Sequence, residues 1–360
     1  MSSATKKFGI LTSGGDCPGL NAAIRGVVKP AFGLYGMNVW GSRGGFRGMI
    51  TGDGHWLESE EVSGILTRGG TILGTSREKP FKSEKDSKEG LHKPDLIVEN
   101  YKKLGLDALV VLGGNGTVKT ANLLSEAGLN VVALPKTIDN DLWGTDMTFG
   151  FHSALDVATE GIDRLHSTAD SHNRVMVVEI MGHKAGWLTL YSGLAGGGDV
   201  ILIPEIPYNI NSVIEHLGKR SSEGKNFSIV AVAEGAVSTE EAKLGKKEIR
   251  KKRASEGYPS ISYRLAQEIE AHSDAEARVT VLGYLQRGGK PSAYDRILST
   301  RFGTAALDLL QKGEYGKMVA LEDDKVVAKD LSKVAGKLKL VPTDHDHIRT
   351  ARMIGTCFGD

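Results

Sequence analysis

Four groups of residues in this sequence have the types and spacing to do chemistry. TSGGDCPGLNAAIRG (12–26) reads as a strand end, a glycine turn and a helix start. Backbone N–H groups at such a junction, with the helix dipole behind them, cradle an anion. The Gly-Lys-Ser/Thr of a Walker loop is missing, as is GxGxxG, so a simple tight turn remains an equal reading. LGGNGTVKTAN (112–122) repeats the design, with Gly113, Gly114, Asn115, Gly116 and Thr117 ahead of a helix. Consecutive glycines let a phosphate approach the backbone closely. Two such loops point to a polyphosphate ligand where one alone would be a weak signal.

PKTIDNDLWGTD (135–146) packs Asp139, Asp141 and Asp146 beside Lys136 and Thr137. This is either a solvated turn rich in Asp and Asn, or a general base for a hydroxyl with a second acid near Mg²⁺ and a lysine neutralising phosphate. A lysine so close keeps Asp139 ionised at neutral pH, as a base must be. Arg174, Arg278 and Arg287 each sit at or beside an expected strand end. Converging on one crevice, they would form a fork-like clamp for a phosphomonoester. Glu234 ends another run and can accept hydrogen bonds from sugar hydroxyls. Cys17, inside the first loop, reads as an inert small residue. A polyphosphate donor, a carboxylate-activated hydroxyl and an anionic acceptor together describe phosphoryl transfer to a sugar phosphate, where positioning and charge neutralisation do most of the work.

The elements that must position these residues are short apolar runs: 8–15, 38–45, 108–117, 130–141, 174–183, 199–205, 227–235 and 278–289. Nearly all end in glycine or an acid. Runs this uniformly apolar predict parallel strands covered on both faces. Between them the spacing predicts helices over 19–34, 117–127, 154–169, 260–271 and 295–310. Strict alternation gives an α/β fold, doubly wound. Ligands bind outside the carboxyl ends of strands in such sheets, which is where the Gly, Asp, Glu and Arg of this sequence collect. Segment 238–257, charged and punctuated by glycine, reads as a solvated surface insertion; it lacks the aromatic residues of a nucleic-acid patch. The stretch after Gly313 carries no recognisable motif.

At 360 residues the chain is long enough for two or three domains. Its net charge of +1 gives no reason to expect a nucleic acid or an anionic membrane as partner. The composition, 40% hydrophobic and 25% charged, is that of a globular protein rather than a disordered one. No apolar run of about 18 residues and no signal region at the start are seen, so no membrane span is expected. Two cysteines at opposite ends, Cys17 and Cys357, fit a reducing, cytoplasmic setting better than a disulfide framework.

The sequence resembles the phosphofructokinases of the bacterial A-type family, which includes ATP-dependent and pyrophosphate-dependent members. TSGGDCPGLNAAIRG, RGGTILGTSR, LGGNGT, PKTIDND, MGHKAGW, AEGA and GYLQRGGKPSAYDR stand in family order from Gly9 to about Arg301. The resemblance implies two Rossmann-like domains with the active site in the cleft between them: 1–150 with 287–325 for the donor, 151–286 with 326–360 for the sugar phosphate. It implies fructose 6-phosphate as acceptor, Mg²⁺ as cofactor and a homodimer or homotetramer. Asp139 is then the base at the 1-hydroxyl, with Thr137 and Asp141 supporting the transferring group and Asp141 and Asn115 nearest the metal. Gly15, Arg77, Gly114, Asn115, Gly116, Thr117 and Lys136 face the donor. Thr137, Ile138, Asp139, Met181, Gly182, His183, Glu234, Tyr284 and Arg287 face the sugar phosphate, joined by Arg174 and Arg278 from a neighbouring subunit.

Departures from the family pattern gather at the donor. Pyrophosphate users carry an aspartate where this chain has Gly116; a carboxylate there would crowd and repel the inner phosphate of a nucleotide, so glycine favours ATP. Lys136 is the residue expected in pyrophosphate users, although some ATP users share it, so a reversible pyrophosphate-dependent phosphotransferase is the alternative. Asn115 replaces an acid near the metal, and His183 replaces an arginine. These two changes keep a non-catalytic sugar-phosphate sensor as a second alternative. A dinucleotide-dependent oxidoreductase fits the α/β pattern but lacks its glycine fingerprint. His55 and His166 occupy arginine positions of the family's effector site, which predicts weak or absent regulation by nucleoside diphosphate or phosphoenolpyruvate.

Overall fold

The computed structural model describes residues 5–82 and 92–360. In chain order the first elements are β1 (Lys7–Ser13), α1 (Leu20–Tyr35), β2 (Asn38–Ser42), α2 (Phe46–Thr51), β3 (Gly54–Trp56) and α3 (Lys93–Lys103). Then come β4 (Ala108–Gly113), α4 (Asn115–Glu126), β5 (Val131–Pro135), α5 (Phe151–His172), β6 (Val175–Ile180) and α6 (Trp187–Ala195). They are followed by β7 (Val200–Leu202), α7 (Ile210–Ser222), β8 (Ser228–Ala233), α8 (Lys246–Glu256), α9 (Ile261–His272) and β9 (Ala277–Val281). The chain ends with α10 (Ala293–Lys312), β10 (Lys317–Glu322), β11 (Lys325–Asp330), α11 (Leu331–Val334) and α12 (Asp346–Met353). Every expected strand and helix is present, with boundaries shifted by a few residues.

Contacts divide the described residues into two compact units. The first holds the chain up to Ile138 with Leu142–Ser153 and Arg287–Lys339; the second holds Asp139–Asp141, Ala154–Gln286 and Leu340–Asp360. The first unit is built on a seven-stranded sheet in the order β11-β10-β5-β4-β1-β2-β3. Its inner strands are parallel, and β3 and β11 pair antiparallel at the two edges. Alternate strand residues face opposite sides: Leu11, Leu109, Val111, Val131 and Ala133 join one core with Met49, Ile97, Val118 and Leu124 of α2, α3 and α4. α1 and α10 pack together, α1 against β2 and α10 against β5 and β10. Close approach of α1 and α10 depends on glycine, since a Cβ on Gly26 would lie 3.0 Å from the Thr300 carbonyl oxygen.

The second unit has a four-stranded parallel sheet, β7-β8-β6-β9. Val177, Val230, Val232 and Leu202 pack with Val213 and Leu217 of α7 and Leu265 and Ile269 of α9. On the other side α6 reaches β7 and β8, where a Cβ on Gly193 would meet Ile201 and Ala231.

Two expectations need correction. The first unit extends to residue 339 rather than 325, because β11 completes an antiparallel hairpin with β10 across Asp323 and Asp324 at φ 49° and 59°. Two alternating runs around a two-residue acidic turn are a hairpin signal that the sequence did contain. Segment 238–257 is not merely a solvated face. Although α8 buries none of its own residues, Glu241 ahead of it is fully buried between Arg253 and Arg264, at 2.7 and 2.8 Å. These two guanidinium groups hold the carboxyl of Glu241 down at about 2, against the upward push of burial. Arg174 and Arg278 do stand beside strand ends, the amino ends of β6 and β9, at the edge opposite Met181 and Glu234.

Candidate active site

Strand register decides what the first unit gathers. Ser13 of β1 pairs with Gly113 of β4, and Gly113 with Pro135 of β5, so three strands end at one level. The loops that follow, 14–19, 114–117 and 136–138, therefore leave the carboxyl edge side by side, as parallel α/β sheets arrange their ligand sites.

The first loop is lined by side chains from elsewhere in the unit. Gly14, at φ 88°, donates to the Ser76 carbonyl at 2.9 Å, and Thr75 Oγ1 donates to the Gly14 carbonyl at 2.7 Å. Arg77 follows them, exposed at the rim. Lys136 Nζ donates to the Gly15 carbonyl. Arg287 Nη1 donates to the Asp16 carbonyl at 3.0 Å, and a Cβ on Gly15 would lie 2.6 Å from that same nitrogen. Glycine at 15 is thus what lets Arg287 lie against the loop. Arg287 Nε is a buried donor with no partner, which is the condition in which a guanidinium offers a site to an anion. Cys17 is buried, and burial pushes its thiol up to about 12, so it is not a nucleophile at neutral pH.

The second loop is open. α4 starts at Asn115 directly after Gly114, with no side-chain cap and no acid in its first turn. The first N–H groups of a helix have no partner within it and can serve an anion. A Cβ on Gly116 would meet nothing within 4 Å, and its φ is ordinary, so neither packing nor backbone conformation asks for glycine there. Thr117 is buried, and its Oγ1 lies 3.4 Å from the Ser13 carbonyl. Asn115 Nδ2 donates to the Lys337 carbonyl at 3.0 Å.

In the third loop, Thr137 holds its own position through its carbonyl, which accepts from Thr148 Oγ1 at 2.8 Å. Ile138 is completely buried. Asp139 and Asp141 flank Asn140, which adopts φ 49°, a left-handed conformation that asparagine tolerates better than most residues. Both aspartates are at least nine-tenths buried.

The second unit collects its polar groups at the carboxyl edge of its own sheet. Ile180 of β6 pairs with Ala233 of β8, so Met181 and Glu234 leave side by side. Glu234 Oε1 accepts from the backbone of Gly182 at 3.2 Å and His183 at 2.8 Å. Gln286 Oε1 accepts from Met181 N at 3.3 Å. His183 has φ 52°, and a Cβ on Gly235 would collide with the His183 carbonyl oxygen. Tyr284 is exposed. Arg174 and Arg278 are held together at the opposite edge by Glu276, with Arg174 Nε 2.7 Å from Glu276 Oε2 and Arg278 Nη2 on Oε1. Within one chain they do not join the Met181–Glu234 cluster. His166 is bonded to the Gly196 carbonyl and His55 to Glu61, both at 2.7 Å.

Among the described residues no three acidic, histidine or cysteine side chains cluster as a metal site. Asp141 and Asn115 each carry a hard oxygen, the donor type that Mg²⁺ takes alongside phosphate oxygens and water.

The phosphofructokinase family profile matches residues 7–310. The chain belongs to the phosphofructokinase family. It is 65% identical over 360 residues to a protein of Spirochaeta thermophila named ATP-dependent 6-phosphofructokinase, covering 99% of this chain and 98% of that one. Identity to ATP-dependent 6-phosphofructokinase 3 of Bacteroides thetaiotaomicron is 53%, over 98% of this chain and 100% of the relative. Among solved structures, phosphofructokinase of Pichia pastoris in the T-state aligns with a TM-score of 0.80 at 32% identity, covering 93% of this chain. The chain spans 36% of that longer polypeptide. A pyrophosphate-dependent phosphofructokinase from Nitrosospira multiformis aligns with a TM-score of 0.82, covering 99% of this chain and 93% of its own; at 22% identity it shares the fold alone. No described helix is long and apolar enough to cross a membrane.

Sequence reasoning missed Arg253, whose Nη2 donates to the Ala236 carbonyl at 2.7 Å just beyond Glu234. It also missed the segment 337–339 beside Asn115. Neither carries a local motif, and only their partners reveal them.

Proposed function

We propose that this phosphofructokinase transfers the terminal phosphoryl group of ATP, as the magnesium complex, to the 1-hydroxyl of fructose 6-phosphate, a glycolytic step giving fructose 1,6-bisphosphate and ADP. The observation that carries the reading is the common level at which β1, β4 and β5 end, which sets two glycine loops beside the turn that leads to Asp139. Asp139 accepts the proton of the 1-hydroxyl as that oxygen attacks the phosphorus. Thr137 and Asp141 hold the transferring group in line. Gly114, Asn115, Gly116 and Thr117 at the start of α4 receive the donor phosphates, with Gly15, Arg77 and Lys136 along the neighbouring loop. Magnesium, taken by Asp141 and Asn115 together with the phosphates, would neutralise donor charge. Met181, Gly182, His183 and Glu234 orient the sugar, and Tyr284 and Arg287 receive its 6-phosphate.

ATP rather than pyrophosphate is supported by the unfilled space at Gly116 and by the names of the relatives at 65% and 53% identity. Lys136, which would favour pyrophosphate, has its ammonium on the Gly15 carbonyl. Arg174 and Arg278 serve the 6-phosphate of an adjacent subunit's site, so the working protein is a homodimer or homotetramer in the cytoplasm, soluble and without nucleic acid.

The test is kcat/KM with fructose 6-phosphate, Mg²⁺ and either ATP or pyrophosphate. ATP wins by at least about tenfold, or about 1.4 kcal/mol of transition-state preference; a win for pyrophosphate sinks the donor assignment. Asp139→Asn, which keeps the shape and removes the base, lowers kcat by about a thousandfold and leaves fructose 6-phosphate binding intact. An Asp139→Asn enzyme with unchanged kcat removes Asp139 as the base.

A further inference from the structure

The stretch after α11 looks featureless in sequence, yet it touches two loops of the site from the same unit. Leu338 forms an antiparallel bridge with Leu142, the residue after Asp141. Lys339 Nζ donates to the carbonyls of Thr145 at 2.9 Å and Asp146 at 2.8 Å. Gly144, at φ 89°, brings its backbone so close to Val334 of α11 that a Cβ there would lie 2.6 Å from Val334 Cγ1. The Lys337 carbonyl accepts the side-chain amide of Asn115, the first residue of α4. Residues 337–339 thus form a short strap. One side of it fixes the loop that follows the catalytic turn, and the other fixes the start of the donor helix.

The strap gives a reason for asparagine at 115. An amide offers an N–H to the Lys337 carbonyl, whereas an ionised aspartate has only acceptors and would set oxygen against oxygen. The missing charge near the metal is then the consequence of a hydrogen bond that an acid could not make. Lys339 plays the matching part on the other loop: its ammonium holds two adjacent carbonyls, a task that depends on charge and reach together.

We propose that Asn115 and Lys339 are positioning residues for phosphoryl transfer, joined through the strap 337–339, which holds the donor helix and the loop after Asp141 in fixed relation. The proposal rests on the phosphoryl-transfer reading above for its kinetic consequences, but not for its structural ones. In-line transfer is sensitive to displacements of about 1 Å, which cost as much as a hundredfold in rate.

The experiment compares Asn115→Asp, Lys339→Met, Lys339→Arg and the double variant Asn115→Asp/Lys339→Met in the full chain. Hydrogen–deuterium exchange without turnover is read first. Either single loss should raise exchange at 114–118 and at 142–146 together, because the strap links them. In steady state, Asn115→Asp should raise KM for ATP by about fivefold and Lys339→Met should lower kcat by about fivefold, with KM for fructose 6-phosphate unmoved. The double variant should be less than additive, since one strap is lost only once. Lys339→Arg, keeping the charge and most of the reach, should restore kcat and exchange. Asn115→Asp with exchange unchanged at 114–118 and at 142–146 would remove the strap, whatever it does to the magnesium requirement. Additive effects, or exchange confined to one loop, would also overturn the proposal. Because exchange is read without substrate, the strap stands or falls on it even where the phosphoryl-transfer reading fails.

Discussion

The two glycine loops share one sequence grammar, strand then glycines then helix, and differ in what the fold puts around them. The loop at 14–19 is crowded: Lys136 and Arg287 donate to its carbonyls, residues 75 and 76 bond to Gly14, and α1 does not begin until Leu20. The loop at 114–117 is tied through its side chains, Asn115 to Lys337 and Thr117 to Ser13, but α4 starts at once and the space at Gly116 is open. In the first, glycine makes room for the protein's own cations. In the second, at Gly116, no neighbour fills the space that a side chain would take. Glycine content alone does not separate these uses; the neighbours of the missing Cβ do.

Filling the open loop is the largest perturbation of that contrast. Gly116→Asp places a carboxylate where the donor phosphates are proposed to lie, and it should lower kcat/KM for ATP by about a hundredfold, about 2.7 kcal/mol. Gly116→Ala is the control. With space for its methyl and no special φ, it should fold with unchanged stability and lose little activity, and a large destabilisation in thermal unfolding would show that the space is not real.

Filling the crowded loop should cost less at the site and act on the other ligand. Gly15→Ala drives a methyl into the Arg287 guanidinium, whose flexible end can move aside. The expected outcome is a rise in KM for fructose 6-phosphate of about tenfold with kcat nearly kept. A rise confined to ATP would mean that the added methyl acts on the donor directly and not through Arg287.

The smallest effect is a negative one. Cys17 lies within the crowded loop, and with its thiol pushed up to about 12 it stays protonated below that pH. Iodoacetamide at pH 8 should leave native Cys17 unmodified while it reacts in the unfolded chain. Rapid native labelling would show that the first loop opens as readily as the second.

How much was legible beforehand varied with the range of the interaction involved. LGGNGT and PKTIDND were recognisable because their pattern lies in consecutive residues. Strands and helices were recognisable because apolar periodicity is local. The β10–β11 hairpin had a local signal around Asp323–Asp324 that a search for catalytic motifs passed over. Glu241 looked like one acid in a charged, exposed stretch. Its burial against Arg253 and Arg264 follows from where α8 and α9 come to rest, and the segment's composition does not contain that information.

By itself, then, the sequence determined the alternation of strand and helix, the two glycine loops, the carboxylate turn and the family to which they belong. These are properties of neighbouring residues, set by steric and hydrophobic rules that act within a few positions. The tertiary structure alone decided that β1, β4 and β5 end at one level and that Arg174 and Arg278 lie on the far edge of their sheet. It also decided that the amide of Asn115 meets a carbonyl 222 positions away. Such contacts are fixed by strand register and helix packing, which place groups within hydrogen-bond reach irrespective of their separation along the chain.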